Sequence, residues 1–183
     1  LPYSCIILDE IMKLSNPKKI ICSISGLREG SLSIDYFKDA KESEIFYKAL
    51  EKVAQKRGDL GSNYKRYYDF IQPVFEGNEH FNKKLLYLAC VLSHMDWGLG
   101  AFQKAELVFQ ETINTPLLRL THKERIQLAL SCYWRYCSIK YNPKMDYLTL
   151  LNNNEIFSSK QVGAALRFSQ SLTSISTIFL EEF

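Results

Sequence analysis

The stretch HFNKKLLYLACVLSHMDW, residues 80–97, decides the fold class, because its apolar residues occur on almost every side of a helix. A helix that is apolar all round has to be covered by other helices, so the stretch predicts the central helix of a helical core. Its longest apolar run, residues 85–92, is far shorter than the roughly 18 residues that cross a bilayer. The sequence therefore predicts a soluble, mainly α-helical chain with no membrane partner.

Apolar residues at helical spacing continue on both sides of this stretch. They predict helices over residues 42–56, 63–75, 101–113, about 122–137 and 159–172. Thr121 and Glu124 form a capping-box motif before the fourth of these helices. The predicted buried residues are Ile126, Leu128, Ala129, Leu130, Cys132 and Tyr133 in that helix, and Val162, Ala165, Leu166, Phe168, Ser169 and Leu172 in the last one. Asn142-Pro143 and the asparagines at 152–154 predict a looser stretch between the two helices.

The first 35 residues have a different pattern from the rest of the chain. Residues 3–14 predict a helix that Asn16-Pro17 ends, and residues 18–25 predict a short buried strand closed by Gly26. A lone strand cannot satisfy its own backbone donors and acceptors, so we expect its neighbouring strands to precede Leu1. The sequence therefore predicts two parts: an αβ remnant of a preceding domain at 1–35 and a helical domain at 36–183.

Composition and cysteine spacing limit the classes of protein that fit. The chain has 183 residues and a net charge of +3, too small an excess to indicate a protein that coats nucleic acid. Its five cysteines form no Cys-x-x-Cys pair, and most lie in apolar patterns that are typical of reduced, buried thiols. We therefore expect a cytoplasmic protein.

Four segments, taken in order, resemble one enzyme family. They are Pro17–Gly30 with its Gly26-Leu27-Arg28-Glu29-Gly30 turn; Leu88–Ser93 with Asp96-Trp97 and Lys104-Ala105-Glu106; His122 with Arg125, Ala129-Leu130, Tyr133 and Arg135-Tyr136; and Gly163–Arg167 with Ser171. Together they resemble the carboxyl-terminal portion of exopolyphosphatases and guanosine pentaphosphate phosphohydrolases, in the form typical of α-proteobacterial members. The Gly-Leu-Arg-Glu-Gly turn is the most specific piece, and the other segments are helical patterns whose order carries the resemblance.

The resemblance implies a parent protein that removes terminal phosphate from polyphosphate or guanosine pentaphosphate with Mg²⁺. Residues 1–35 would then end its second actin-like (ribonuclease H-like) catalytic domain, and residues 36–183 would form an HD-like helical domain. The family's phosphate loops and catalytic carboxylates precede the matched segments, so no catalytic residue carries over to this chain. The expected partners are the upstream catalytic domain, a second copy in a homodimer, and the polyanionic substrate bound through the parent.

Arg28, His122 and Arg125 are candidate ligands for a phosphate group. Arg28 lies in a glycine-flanked turn where backbone amides can face an anion, and an ion pair with the helical domain is its structural alternative. His122 and Arg125 are three residues apart near a predicted helix start, where an anion is favoured. Their structural alternative is to cap a neighbouring helix or to pair with a carboxylate.

Lys65 and Arg66 stand beside Tyr64, Tyr67 and Tyr68, a basic and aromatic pattern that is also typical of polyanion surfaces. The tyrosines fall at helical spacing, so a packed face with a solvated basic edge is the simpler interpretation. Lys56-Arg57 and Lys83-Lys84 extend the basic residues into a candidate polyphosphate track.

Two other hypotheses belong to different classes of protein. A stand-alone helical module would bind a nucleotide, an RNA or a protein through the same lysine and arginine edges. An HD-type metal phosphohydrolase would need ligands that the spacing opposes: on a helix, His94 and Asp96 lie about 200° apart, and His80 and His94 about 20 Å apart. Cys132 and Cys137 lie in an apolar pattern with no general base at matched spacing, so the sequence predicts neither a metal site nor a cysteine nucleophile.

Overall fold

The structure is a computed structural model that describes residues 2–20, 26, 50, 52–55, 63–76, 82–94, 98–117, 120–140, 143 and 146–173. These residues are mainly helical, as predicted, and none of them lies in a strand. The chain divides into two compact units, Leu1–Asp35 and Tyr36–Phe183. No helix within the described ranges is long and apolar enough to cross a membrane.

In the first unit, α1 spans Pro2–Ser15, which confirms the helix predicted at residues 3–14. It is followed by Asn16, whose N–H donates to the Met12 carbonyl (2.9 Å) and whose positive φ of 43° turns the chain out of the helix before Pro17. Lys13 pairs with Asp9 at 2.7 Å and with Glu10 at 2.9 Å on the helix surface. Residues 18–20 of the predicted strand are neither helix nor strand, and residues 21–25 lie outside the described residues.

The second unit contains the helices that form the core. They are α2 (Asn63–Ile71), continued by a 3-10 turn at Gln72–Phe75, α3 (Lys83–Leu92), α4 (Ala101–Asn114), α5 (His122–Tyr136), a 3-10 helix at Asp146–Leu150 and α6 (Asn153–Thr173). Helix α5 packs against α3, α4 and α6, while α2 packs against α3 and α6. One apolar cluster joins α2, α3, α5 and α6, and a second joins α4 and α5 to the end of the 3-10 helix.

Helix α3 is the apolar helix that the opening stretch predicts, although it is shorter. Asn82 caps its start, because its Oδ1 accepts hydrogen bonds from the backbone N–H groups of Lys84 (3.0 Å) and Leu85 (3.4 Å). Residues on all its sides are buried: Leu86, Leu88, Ala89, Cys90, Val91 and Leu92. The helix ends before Ser93, so the prediction that His94 is helical was wrong. His80 and residues 95–97 lie outside the described residues.

Helix α5 begins with the predicted capping box. The Thr121 N–H donates to Glu124 Oε2 (2.8 Å), and the Glu124 N–H donates to Thr121 Oγ1 (3.2 Å). The six residues predicted to be buried are buried, which confirms that face. Arg125, Ser131, Trp134 and Arg135 are buried too, so α5 is covered on more sides than its apolar pattern indicates.

Helix α6 starts earlier than predicted, at Asn153 rather than Ser159. The asparagine run, interpreted as loop, contains a cap: the Glu155 N–H donates to Asn152 Oδ1 (2.8 Å), and the Asn152 N–H donates to Glu155 Oε2 (2.7 Å). Val162, Leu166 and Ser169 are buried as predicted. The prediction for Phe168 was wrong: it is 59% exposed and stacks on Phe70 at a centroid distance of 6.3 Å.

The helices predicted at 101–113 and 63–75 are also present. The second changes from α to 3-10 geometry at Gln72, next to Pro73, which has no N–H for an α-helical bond. Of the helix predicted at 42–56, residues 50 and 52–55 are described; they are helical, and Leu50 and Ala54 are buried.

Candidate functional site

Arg125 lies on the first turn of α5, and its guanidinium is directed at the end of α4. Nη1 donates to the carbonyls of Thr115 and Ile113 (3.4 Å to the latter), and Nη2 donates to the Leu117 carbonyl at 2.9 Å. These carbonyls end α4 or follow it, where the helix leaves acceptors without intrahelical partners. Burial lowers the pKa of the guanidinium from its usual value. The guanidinium therefore caps a neighbouring helix, which is the structural alternative to binding an anion.

His122 and Arg28 do not share this arrangement. His122 is the first residue of α5 and is exposed, while Arg125, three residues on, is buried. The structure therefore does not bring the imidazole and the guanidinium together around a common anion site. Arg28 lies outside the described residues, so its role as a phosphate ligand stays a prediction.

The tyrosines around Lys65 and Arg66 form a packed face. Tyr87 of α3 meets Tyr64 edge-on at 5.8 Å between ring centroids and meets Tyr68 at 5.3 Å. Tyr64 and Tyr67 are buried, whereas Lys65 and Arg66 are exposed. The aromatic rings therefore serve the α2–α3 contact, as the simpler interpretation predicted, and none of the buried rings is a platform for stacking bases.

The predicted track has described cations on both α2 and α3, the two helices that these tyrosines join. Lys83 and Lys84 lie one helical turn before Tyr87, and Lys65 lies on α2 between Tyr64 and Tyr68, the two rings that Tyr87 touches. Lys83 is exposed and Lys84 is half-buried. We call Lys65, Arg66, Lys83 and Lys84 the α2–α3 basic edge. Lys56 and Arg57, the remaining part of the predicted track, lie outside the described residues.

A buried arginine network that the sequence did not single out lies at the other end of α5. Arg135 is 2% exposed, and it donates from Nη1 to Ser93 Oγ (2.6 Å) and from Nε to Gln170 Oε1 (3.1 Å). Its guanidinium carbon lies 5.4 Å from the Tyr67 ring centroid and 5.6 Å from that of Tyr136. Within the described ranges no carboxylate forms an ion pair with it, so neutral oxygens and aromatic faces stabilise the charge.

A signal for this network was present in the sequence. Arg135 follows the apolar residues Cys132, Tyr133 and Trp134 and precedes Tyr136, and a lone cation in such a run indicates burial with polar partners. Only the fold shows which partners these are, because they come from α2, α6 and the end of α3.

Some of the four segments that carry the family resemblance, here called the family-like segments, contact one another inside the second unit. Ser93 of the second segment contacts Arg135 of the third, and the Tyr136 hydroxyl donates to the Ser93 carbonyl at 2.7 Å. Gly163 of the fourth segment lies so close to α5 that a Cβ there would be 2.5 Å from Trp134 Cβ and 2.9 Å from the Ser131 carbonyl oxygen. These positions therefore hold helices together.

The described cysteines lie in reduced form at separate places in the chain. Cys90, Cys132 and Cys137 are buried, and burial raises the pKa of the Cys90 thiol, which disfavours the thiolate that a nucleophile requires. Within the described ranges no three His, Cys, Asp or Glu side chains cluster as metal ligands. The expectation that the parent protein uses Mg²⁺ stays a prediction.

Comparison of the chain with models of protein families, with curated proteins and with solved structures gave no match. The family resemblance consequently rests on the segments quoted above and stays a prediction.

Proposed function

We propose that this chain is the carboxyl-terminal part of an exopolyphosphatase-like hydrolase. In this proposal, residues 36–183 form its accessory HD-like helical domain and residues 1–35 end the actin-like catalytic domain. The chain itself carries no catalytic residue, and its helical part supports binding of the polyanionic substrate and formation of a homodimer in the cytoplasm. The phosphoryl chemistry and its Mg²⁺ belong to the preceding catalytic domain.

The observation that carries the proposal is the meeting of the family-like segments in one packed unit. Ser93 binds Arg135 and Tyr136, and Gly163 fits against Ser131 and Trp134. The second, third and fourth segments therefore belong to one packed unit, as the proposal of a single accessory domain requires. Their structural role also agrees with an accessory domain, because catalytic groups would have to face a substrate rather than a neighbouring helix.

The α2–α3 basic edge is the surface that we assign to polyphosphate. Lys65, Arg66 and Lys83 are exposed, and Lys84 is half-buried. A polyphosphate chain carries about one negative charge per phosphate, so the cations of these two helices attract it electrostatically, and the attraction weakens as salt rises. Buried tyrosines behind these cations offer no stacking surface for bases, which favours polyphosphate over RNA.

Phosphate release tests the claim that the chain is not catalytic. We expect the purified chain with polyphosphate and Mg²⁺ to release no more phosphate than a heat-treated control, because the phosphate loops of the family precede it. The same chain with guanosine pentaphosphate should be equally inactive. Release that rises with protein concentration in either assay would contradict the proposal.

Binding tests the substrate surface and separates the proposal from its alternative, a stand-alone binding module. We expect polyphosphate to bind with an affinity that falls as salt rises, and a single-stranded RNA of equal charge to bind at least fivefold more weakly. Lys65→Ala/Arg66→Ala should weaken polyphosphate binding at least fivefold. The control Lys140→Ala/Arg167→Ala removes the same charge from exposed positions outside α2 and α3 and should have less than a twofold effect.

Two outcomes of the binding test would contradict parts of the proposal. Equal affinity for RNA and polyphosphate favours the stand-alone module. Equal weakening by both double variants would show that net charge, rather than the α2–α3 basic edge, attracts the polyanion, and would remove that surface from the proposal.

A further inference from the structure

A cavity of about 320 Å³ lies where the 3-10 helix at 146–150 meets α5 and α6. Its volume is at the lower end of the range for small-molecule sites, which are mostly apolar with a few placed polar groups. The lining has this composition, with one amide and one ammonium beside four apolar or aromatic side chains. The lining residues are Trp134, Leu148, Asn153, Ile156, Phe157 and Lys160.

The apolar wall of the cavity is held in place by the core. Leu148 and Ile156 are half-buried, and both pack against the apolar cluster that joins α4 and α5 to the 3-10 helix. Phe157, by contrast, is 62% exposed. A flat ring that covers Phe157 and touches the two half-buried side chains removes apolar surface from water. The wall therefore favours an aromatic ligand.

Asn153 supplies a neutral polar group at one end of the cavity. It is exposed, and the cap of α6 uses its neighbours Asn152 and Glu155 instead. Asn153 precedes Phe157 by four residues, so the two share a helix face about 6 Å apart along the axis. A side-chain amide both donates and accepts hydrogen bonds, and a primary carboxamide matches it in both. A carboxamide attached to an aromatic ring therefore fits this one turn.

Lys160 lies at the opposite end of the cavity and is already engaged within the protein. Its Nζ lies 5.3 Å from the ring centroid of Trp134. Lys160 is about 10 Å from Asn153 along the helix axis, so a ligand on Asn153 and Phe157 needs no contact with the ammonium. A carboxylate on such a ligand would lose hydration beside apolar side chains without gaining a partner. The lining therefore favours a neutral ligand over an anion.

We propose that this cavity binds a small neutral aromatic amide, whose carboxamide hydrogen-bonds to Asn153 and whose ring lies on Leu148, Ile156 and Phe157. Polyphosphate has neither an apolar face nor a neutral amide, so it does not compete for these contacts. The site is separate from the α2–α3 basic edge and does not depend on the function proposed above.

Calorimetric titration of the whole chain with 2-naphthamide tests the ligand class. We expect binding at submillimolar concentration. We expect 2-naphthoate to bind at least fivefold more weakly, because it has the same ring with a charge that the apolar wall would desolvate. Equal or tighter binding of 2-naphthoate would overturn the proposal, as would no binding of 2-naphthamide up to its solubility limit.

Two matched pairs of variants on α6 test the contacts. Phe157→Ala should weaken 2-naphthamide binding at least fivefold, whereas Phe168→Ala, which removes a ring of similar exposure (59%) outside the cavity lining, should change it less than twofold. Asn153→Ala should weaken binding at least threefold. Asn154→Ala, at the next exposed position and outside the lining, should change it less than twofold. Equal effects within either pair would overturn the proposal.

NMR of the unsubstituted chain gives a second readout. The side-chain NH₂ signals of Asn153 should shift when 2-naphthamide is added, and those of Asn154 should not. Thermal unfolding checks that each variant is folded, which we expect because the substituted side chains are exposed. If a variant fails to fold, the NMR titration still decides, since unchanged Asn153 signals at the highest soluble concentration of 2-naphthamide would overturn the proposal.

Discussion

Helix α5 and the α2–α3 basic edge carry the same kinds of side chain and use them in opposite ways. Arg125 and Arg135 of α5 are buried, and their N–H groups donate to neutral oxygens of neighbouring segments. Lys65 and Lys83 of the basic edge are exposed. The sequence therefore does not distinguish a lysine or arginine that binds a ligand from one that stabilises the fold. Its burial in the structure does.

The difference follows from the packing of the two regions. Helix α5 lies among α3, α4 and α6, so any polar group on it must find a partner inside the protein. The guanidinium has several donors in a rigid plane, which lets one side chain bind two segments at once. A lysine on an outer helix face stays hydrated, so the fold loses no stability if its ammonium has no protein partner.

The largest effect is expected from Arg135→Ala. This change leaves Ser93 and Gln170 without their donor and opens a cavity between helices, so we expect a loss of about 4 kcal/mol in the free energy of unfolding. Chemical denaturation followed by circular dichroism measures it. Arg167→Ala on the exposed face of α6 is the control. A similar loss of stability in that variant would contradict the difference between buried and exposed cations.

Gly163→Ala tests how closely α5 and α6 must approach. A Cβ at this position would lie 2.5 Å from Trp134 Cβ, so the helices have to separate, and we expect a loss of about 3 kcal/mol. Helix propensity alone predicts the opposite sign, a gain of up to about 1 kcal/mol. Gly100→Ala, where the nearest atom is Gln103 Oε1 at 3.6 Å, is the control with no clash. A stabilised Gly163→Ala protein would mean that the α5–α6 contact is looser than described.

Arg125→Ala should have an intermediate effect. It removes the hydrogen bonds that cap the end of α4, and we expect unfolding to become easier by about 2 kcal/mol. The polyphosphate affinity of the same variant should stay within twofold of that of the unsubstituted chain. A large loss of affinity with little loss of stability would return this arginine to the anion ligands.

The smallest effect is expected for Lys65→Ala and Lys83→Ala. Both side chains are exposed, so each change should alter the free energy of unfolding by no more than about 0.5 kcal/mol. Thermal unfolding of each single variant beside the parent chain measures it. A loss of more than about 1.5 kcal/mol in either would place that lysine with the structural cations of α5.

Much of the second unit was predictable because its signals are local. Thr121 and Glu124 fix the start of α5 by hydrogen bonds across one turn, and helical spacing locates the apolar face behind them. The prediction of where α6 starts was wrong for a local reason. Asn152 and Glu155 form the same kind of capping box, but a run of asparagines is also typical of a loop. The prediction that Phe168 is buried was wrong for a tertiary reason. Periodicity shows which face of a helix is apolar, but not whether a neighbouring element covers it.

The sequence by itself determined the helical class, the extent of α5 and the reduced, apolar setting of its cysteines, because periodicity and capping act within a few residues. Tertiary structure alone decided which cations serve the fold: Arg125 reaches back to the end of α4, and Arg135 reaches Ser93 and Gln170, which are 42 and 35 residues away in the chain. It also brought Trp134 of α5, Leu148 of the 3-10 helix and Ile156 of α6 together around one cavity. Hydrogen bonds and burial between distant segments depend on how helices pack, and no local pattern records that.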